Sequence, residues 1–137
     1  MKRVIKFRGL DKRNQWHHGD YFADPDQTGH FIREIWFGGV SYHDPGNDDY
    51  HIIDTAIKPE TLGQYTGLKD ITGVDVYEGD VIMFTYKTGG GCFSHQGKVI
   101  FEQYMFLVEI ENGDYFSLNR IGGVNIIGNI HENAELL

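Results

Sequence analysis

The sequence predicts a mainly β protein of two small β lobes, the C-terminal one an SH3-like barrel, with at most short helical turns. Three observations carry that expectation. The 137 residues include 18 Gly, 9 Phe, 8 Tyr and 2 Trp but only 3 Pro, a composition suited to many short strands joined by glycine turns. Apolar and polar residues alternate in short runs, and nowhere in the first half does a three-four spacing persist for a full helix length. Asn112-Gly113 stands between two apolar runs, a strong signal for a tight hairpin, because both residues tolerate positive φ. The expected division is an N-terminal β lobe over 1–61, a connecting turn segment over 62–75 and the barrel over 76–137.

In chain order, residues 2 to 8 set Arg3, Ile5 and Phe7 against Lys2, Val4, Lys6 and Arg8, and predict an edge strand with one buried face. Asp11 to Asn14 is a polar turn, and Trp16 to Phe22 returns as the second strand of a hairpin. A Pro/Asp/Gly loop over 23–29 leads to a third strand, Phe31 to Phe37. Gly38 to Asp49 is read as a loop and Tyr50 to Asp54 as a short strand. Lys58 to Leu62 forms one helical turn, with Pro59 near its start, where a missing N–H costs nothing.

The chain is organised around Asp70 to Ile82. Asp70 to Gly73 is a β-turn, since an Asp side chain bonds the backbone two residues on and Gly takes positive φ freely. Glu78-Gly79-Asp80 is a second corner, and the two bracket Val74 to Tyr77 in a rigid joint. Val81 to Tyr86 leaves it as a strand. Thr88 to Gly97, with Gly89-Gly90-Gly91, is expected to be a flexible loop. A strand from Lys98 to Phe101 and one placing Tyr104, Phe106, Val108 and Ile110 on one face follow. Tyr115 to Leu118 completes the hairpin, Val124, Ile126, Gly128 and Ile130 alternate on a last strand, and Glu132 to Leu137 closes in a helical turn.

Gly63 to Asp70 (GQYTGLKD), Gly73 and Tyr77 to Ile82 (YEGDVI) resemble the central signature of the YopX family of small phage and prophage proteins. The opening Ile5-Lys6-Phe7-Arg8 and the closing Ile127 to Asn133 resemble that family too, so the likeness runs from end to end. Gly9-Leu10 stands where members carry Ala-Trp, and Ala134 where they carry Pro. The resemblance implies a phage-derived, two-lobed, mainly β protein. It implies no activity and no catalytic residues.

Charge is uneven. Lys and Arg total 12 against 20 Asp and Glu, a net of -8. Residues 1–66 carry 8 basic and 10 acidic groups, and residues 67–137 carry 4 and 10. An acidic surface repels phosphate backbones, which counts against nucleic acid on the second half. The single Cys92 excludes an intramolecular disulfide and any cysteine zinc cage. Together with the charged opening Met1 to Lys6, unlike a signal peptide, it places the protein by expectation in the cytoplasm. No run reaches the roughly 20 apolar residues of a membrane helix.

Several clusters are candidates for chemistry. Asp70, Asp75, Glu78 and Asp80 could present oxygens to a hard cation, but they lack EF-hand spacing, and a turn-forming role is preferred. The seven His (17, 18, 30, 43, 51, 95 and 131) show no zinc spacing, and His17 and His18 on a strand point to opposite faces. The triglycine loop lacks the Lys-Ser/Thr ending and following helix of a phosphate cradle. Cys92 and His95 could form a thiolate–imidazole pair, but beside three glycines they lack rigid support. Lys2, Arg3, Lys6, Arg8, Lys12 and Arg13 form a basic start that could hold nucleic acid, with Phe7 or Trp16 as a stacking surface. A patch of Tyr42, Tyr50, Tyr65 or Tyr104 with Trp36 would mark a protein-binding surface.

No catalytic set, cofactor site or metal site is assigned. The reading is a non-catalytic protein-interaction or self-associating module with a host or phage protein, or a second copy, as partner. The alternatives are nucleic-acid binding through the basic first strand and a metal-dependent enzyme at Asp70, Asp75, Glu78 and Asp80.

Overall fold

The computed structural model describes residues 3–26, 28–37 and 50–136, so the loop expected over 38–49 lies outside the described residues, as do Tyr42 and His43. The protein is mainly β, built of antiparallel sheets with three short 3-10 turns among the described residues. It divides into two compact units, residues 5–62 and residues from Gly63 onward together with Arg3 and Val4. No helix among the described residues is long and apolar enough to cross a membrane.

In the first unit, β1 (Phe7–Leu10), β2 (Trp16–Ala23), β3 (His30–Phe37) and β4 (Tyr50–Ala56) form an antiparallel meander in the order β4-β3-β2-β1. The 11–14 turn closes as expected. Asp11 accepts the Arg13 and Gln15 amides on one carboxylate oxygen, at 2.8 and 3.0 Å. The 3-10 turn Pro59–Thr61 follows β4, and the Thr61 hydroxyl accepts the Leu10 amide at 2.9 Å. Among the described residues, Leu10, Ile32 and Ile57 are the buried apolar side chains here. The expected strand over 2–8 is shorter at its start: β1 begins at Phe7, where the ladder to β2 begins with Phe7 opposite Gly19. Val4 and Ile5 are both exposed, so the alternation upstream of Phe7 has no buried face.

In the second unit, β5 (Gly63–Lys69) and β6 (Asp75–Tyr77) pair as a hairpin. The segment expected as a connector over 62–75 thus supplies β5 and its turn to this unit. Five further strands, β7 (Asp80–Thr88), β8 (Gly91–Glu102), β9 (Met105–Ile110), β10 (Tyr115–Ser117) and β11 (Ile121–Asn129), form a sheet in the order β10-β9-β8-β7-β11. A 3-10 turn, Leu118–Arg120, joins the last two. The SH3-like barrel expected here is not closed: no ladder among the described residues joins β10 to β11. Ile82, Phe84, Val99, Val108, Val124 and, from β6, Val76 make the core.

Thr88 to Gly97 is not a loop. β8 is one continuous strand of 12 residues, laddered to β7 from Lys98 opposite Val81 to Gly91 opposite Thr88, and only Gly89-Gly90 turns. The physical reason is the partner: β7 runs on to Thr88 and satisfies the backbone of residues whose composition alone suggests a coil. Gly97 sits mid-strand because a Cβ there would lie 2.5 Å from the Glu109 carbonyl oxygen.

Candidate interaction surface

The acidic joint consists of two turns. At the first, one Asp70 oxygen accepts the Thr72 and Val74 amides at 2.9 and 3.0 Å and the Thr72 hydroxyl at 2.7 Å. These bonds, the hydroxyl foremost, hold the Asp70 carboxyl below its usual pKa. At the second, a buried Asp80 oxygen accepts the Tyr77 amide at 2.7 Å. Gly73 and Gly79 take φ of 89° and 93°, the left-handed region both corners require. Asp75 pairs with Lys69 Nζ at 2.7 Å, and Glu78 accepts the Gln64 amide at 3.4 Å. Burial pushes the Glu78 carboxyl up. Each carboxylate has a local partner of its own. Among the described residues no three His, Cys, Asp or Glu side chains are grouped to hold a metal ion.

Other candidates disperse. Cys92 is exposed on β8 opposite Lys87. His95, three residues along the same strand, points to the other face and packs between the Phe84 and Phe116 rings, at 5.7 and 5.2 Å. The expected thiol–imidazole pair is therefore not brought together. Within the basic start, Lys2 lies outside the described residues. Arg8 is buried with its guanidinium 4.3 Å above the Trp16 ring, so the charge and ring offered for a nucleic acid are occupied with each other. Phe7 packs against Tyr21 at 5.9 Å.

His17 occupies a site that spacing did not reveal. Its Nδ1 lies 2.7 Å from a Glu34 oxygen on β3, and its Nε2 lies 2.8 Å from an Asp11 oxygen in the β1–β2 turn. Carboxylates on both ring nitrogens require two N–H donors, which only the imidazolium has. Burial opposes that charge, but the hydrogen bonds to Asp11 and Glu34 outweigh it and raise the His17 pKa. Asp11, bonded first by the Gln15 amide and then by His17, is lowered to about 2. The carboxylates flank the ring from opposite sides and converge on no single point.

The aromatic candidates separate sharply. Tyr65 is buried against Tyr77, with ring centroids 5.7 Å apart. Tyr104 is 99% exposed, because it sits in the β8–β9 turn and not on the face of β9 assigned to it from alternation. Trp36, 58% exposed, and Tyr50, 57% exposed, stand near the ends of neighbouring strands β3 and β4. Ile35, Ile52 and Ile53, which the sequence reading passed over, are about half exposed on the same ribbon. Ile35 lies opposite Ile52 on one face, while Trp36 and Ile53 lie on the other. The signal was present as Ile52-Ile53, two adjacent apolar residues on a strand, which must point to opposite faces. A ribbon that exposes large apolar side chains on both faces is a candidate interaction surface.

A family model described as YopX protein matches residues 6–137. In fold the chain is similar to the crystal structure of protein EF1440 from Enterococcus faecalis, with a TM-score of 0.60, 23% identity and 99% of each chain covered. A comparison with the curated proteins finds no match.

Proposed function

This chain belongs to the YopX protein family, and from that premise we propose that it is a phage- or prophage-encoded, non-catalytic protein-interaction module of the cytoplasm. The observation that carries the reading is the β3–β4 ribbon. Ile35, Trp36, Tyr50, Ile52 and Ile53 expose apolar surface on both faces, and a polypeptide partner gains by covering it. The commitment of Asp70, Glu78 and Asp80 to backbone amides supports a structural role for the joint over a metal-dependent enzyme.

The test pairs two measurements on the full chain, light scattering for self-association and capture of partners from host and phage-infected lysates, each made on wild type and on Trp36→Asp. Association that Trp36→Asp abolishes, by either measurement, supports the module. A wild-type chain that is monomeric and captures nothing in a Trp36-dependent way overturns it.

A further inference from the structure

We infer that β4 is a pairing edge for a second copy of this chain, two β4 strands meeting antiparallel about a two-fold axis at Ile53. The inference rests on the interaction reading above and names its partner. Three features of β4 carry it.

The first is hydrogen-bond parity. β3 and β4 pair in constant register, from Phe31 opposite Ala56 to Phe37 opposite Tyr50. Just beyond, the Ile57 amide donates to the His30 carbonyl at 2.9 Å. Bonded and non-bonded pairs alternate along an antiparallel ladder, so Thr55, Ile53 and His51 also exchange bonds with β3. Ile52, Asp54 and Ala56 therefore direct their N–H and C=O groups to the outer edge. β4 ends the strand order of its sheet, and no second strand flanks these three among the described residues.

The second is that the edge is unguarded. Proteins commonly protect edge strands with Lys, Pro or a bulge. Tyr50–Ala56 contains no Lys, Arg or Pro, and its register has no irregularity. Its one charge, Asp54, is paired on the same sheet by Arg33, with Nε–Oδ1 at 2.8 Å and Nη2–Oδ2 at 3.0 Å. The strand also lies in the half of the sequence, residues 1–66, whose charges nearly balance, 8 basic against 10 acidic.

The third is self-complementarity. With Ile53 on the axis, Ile52 of each copy faces Asp54 of the other, both being residues with outward backbone groups, so the parity requirement is met. Ile53 meets its own copy at a non-bonded position, where side chains approach most closely. Because the register is even, each face of one ribbon continues into the same face of the other. The stripe of Ile35 and Ile52 is then doubled on one face, and that of Trp36 and Ile53 on the other. The pair is thus held at the seam by main-chain bonds from the outward groups and by the Ile53 contact on the axis, while the two apolar faces are continued from copy to copy.

The test is residue-resolved amide exchange on the full chain at low micromolar and near-millimolar concentration, with light scattering at both. The expected result is twice the chain mass at high concentration. The Ile52, Asp54 and Ala56 amides should slow about tenfold or more on concentration while His51, Ile53 and Thr55 stay unchanged. Ile52→Pro removes an outward donor without touching the ladder to β3, and Ile53→Lys places a charge on the axis; each should give a monomer with an unchanged strand spectrum. A chain of single mass at both concentrations overturns the inference, whether the three amides exchange rapidly or are protected throughout by the chain's own residues. If capture sensitive to Trp36→Asp persists in that monomer, the interaction reading stands and only the second copy fails; if it does not, both fail.

Discussion

His17 shows how three polar side chains set a pH dependence. Its folded pKa lies above the ordinary 6.5, so the bridge to Asp11 and Glu34 stabilises fully below that value and is lost as pH rises through the folded pKa. Asp11 works in the opposite sense. Its contribution is present above the ordinary 3.8 and is lost as pH falls toward about 2. Urea midpoints should therefore fall as pH is raised from 6 through the His17 transition. His17→Gln should be less stable than wild type at pH 6, with the difference closing at high pH. A constant difference across that range would show that the imidazolium is not the stabilising species. Asp80 gives a simpler case. It is 2% exposed and satisfies the Tyr77 amide, so Asp80→Ala should cost about 2 kcal/mol in urea denaturation by leaving a buried donor unpaired. The turn roles of Asp70 and Asp80 were legible from glycine spacing alone, because such turns close within a few residues. The His17 bridge was not, because its partners come from two other segments.

At the scale of the element, the β8–β9 hairpin carries an uncommon turn. Gln103 and Tyr104 have φ of 52° and 64°, the left-handed region, where an ordinary side chain costs about 1 kcal/mol. The Tyr104 side chain is almost wholly in solvent, so Tyr104→Gly should raise stability by about 1 kcal/mol with no loss of packing. Thermal unfolding would check it, and a drop in stability would mean that the ring makes a contact that matters. The same hairpin explains why alternation misled. Tyr104, Phe106, Val108 and Ile110 fit one face by period, but the chain turns at Gln103-Tyr104, and only the latter three enter the strand. β11 defeats alternation differently: irregularities between Gly122 and Asn125 and between Ile126 and Gly128 shift the period mid-strand. The hairpin at Asn112-Gly113 was legible because its glycine declares it locally, but the loop is one residue longer than a two-residue turn. It spans Glu111 to Gly113, and only Gly113, with φ of 88°, takes the left-handed region. The Ile110 amide to Asp114 carbonyl bond, at 3.0 Å, closes it.

Across the whole molecule, apolar burial is uneven. Among the described residues, ten buried apolar side chains, Phe84, Ile82 and Val108 among them, lie in the unit beginning at Gly63, against Leu10, Ile32 and Ile57 in residues 5–62. In dilute solution the slowest-exchanging amides should therefore lie in β7, β8 and β9, with β3 and β4 exchanging earlier. Uniform protection across both units would contradict that order. By itself the sequence determined the β class, the Asp70, Asp80 and Asn112-Gly113 turns and the family, since each depends on neighbours along the chain or on a contiguous motif. Tertiary structure alone decided that β8 continues through the glycines, that His17 sits between two carboxylates and that both faces of β3–β4 stay apolar and exposed. Those outcomes depend on which strand lies beside which, and long-range pairing leaves no mark in the local periodicity of either partner.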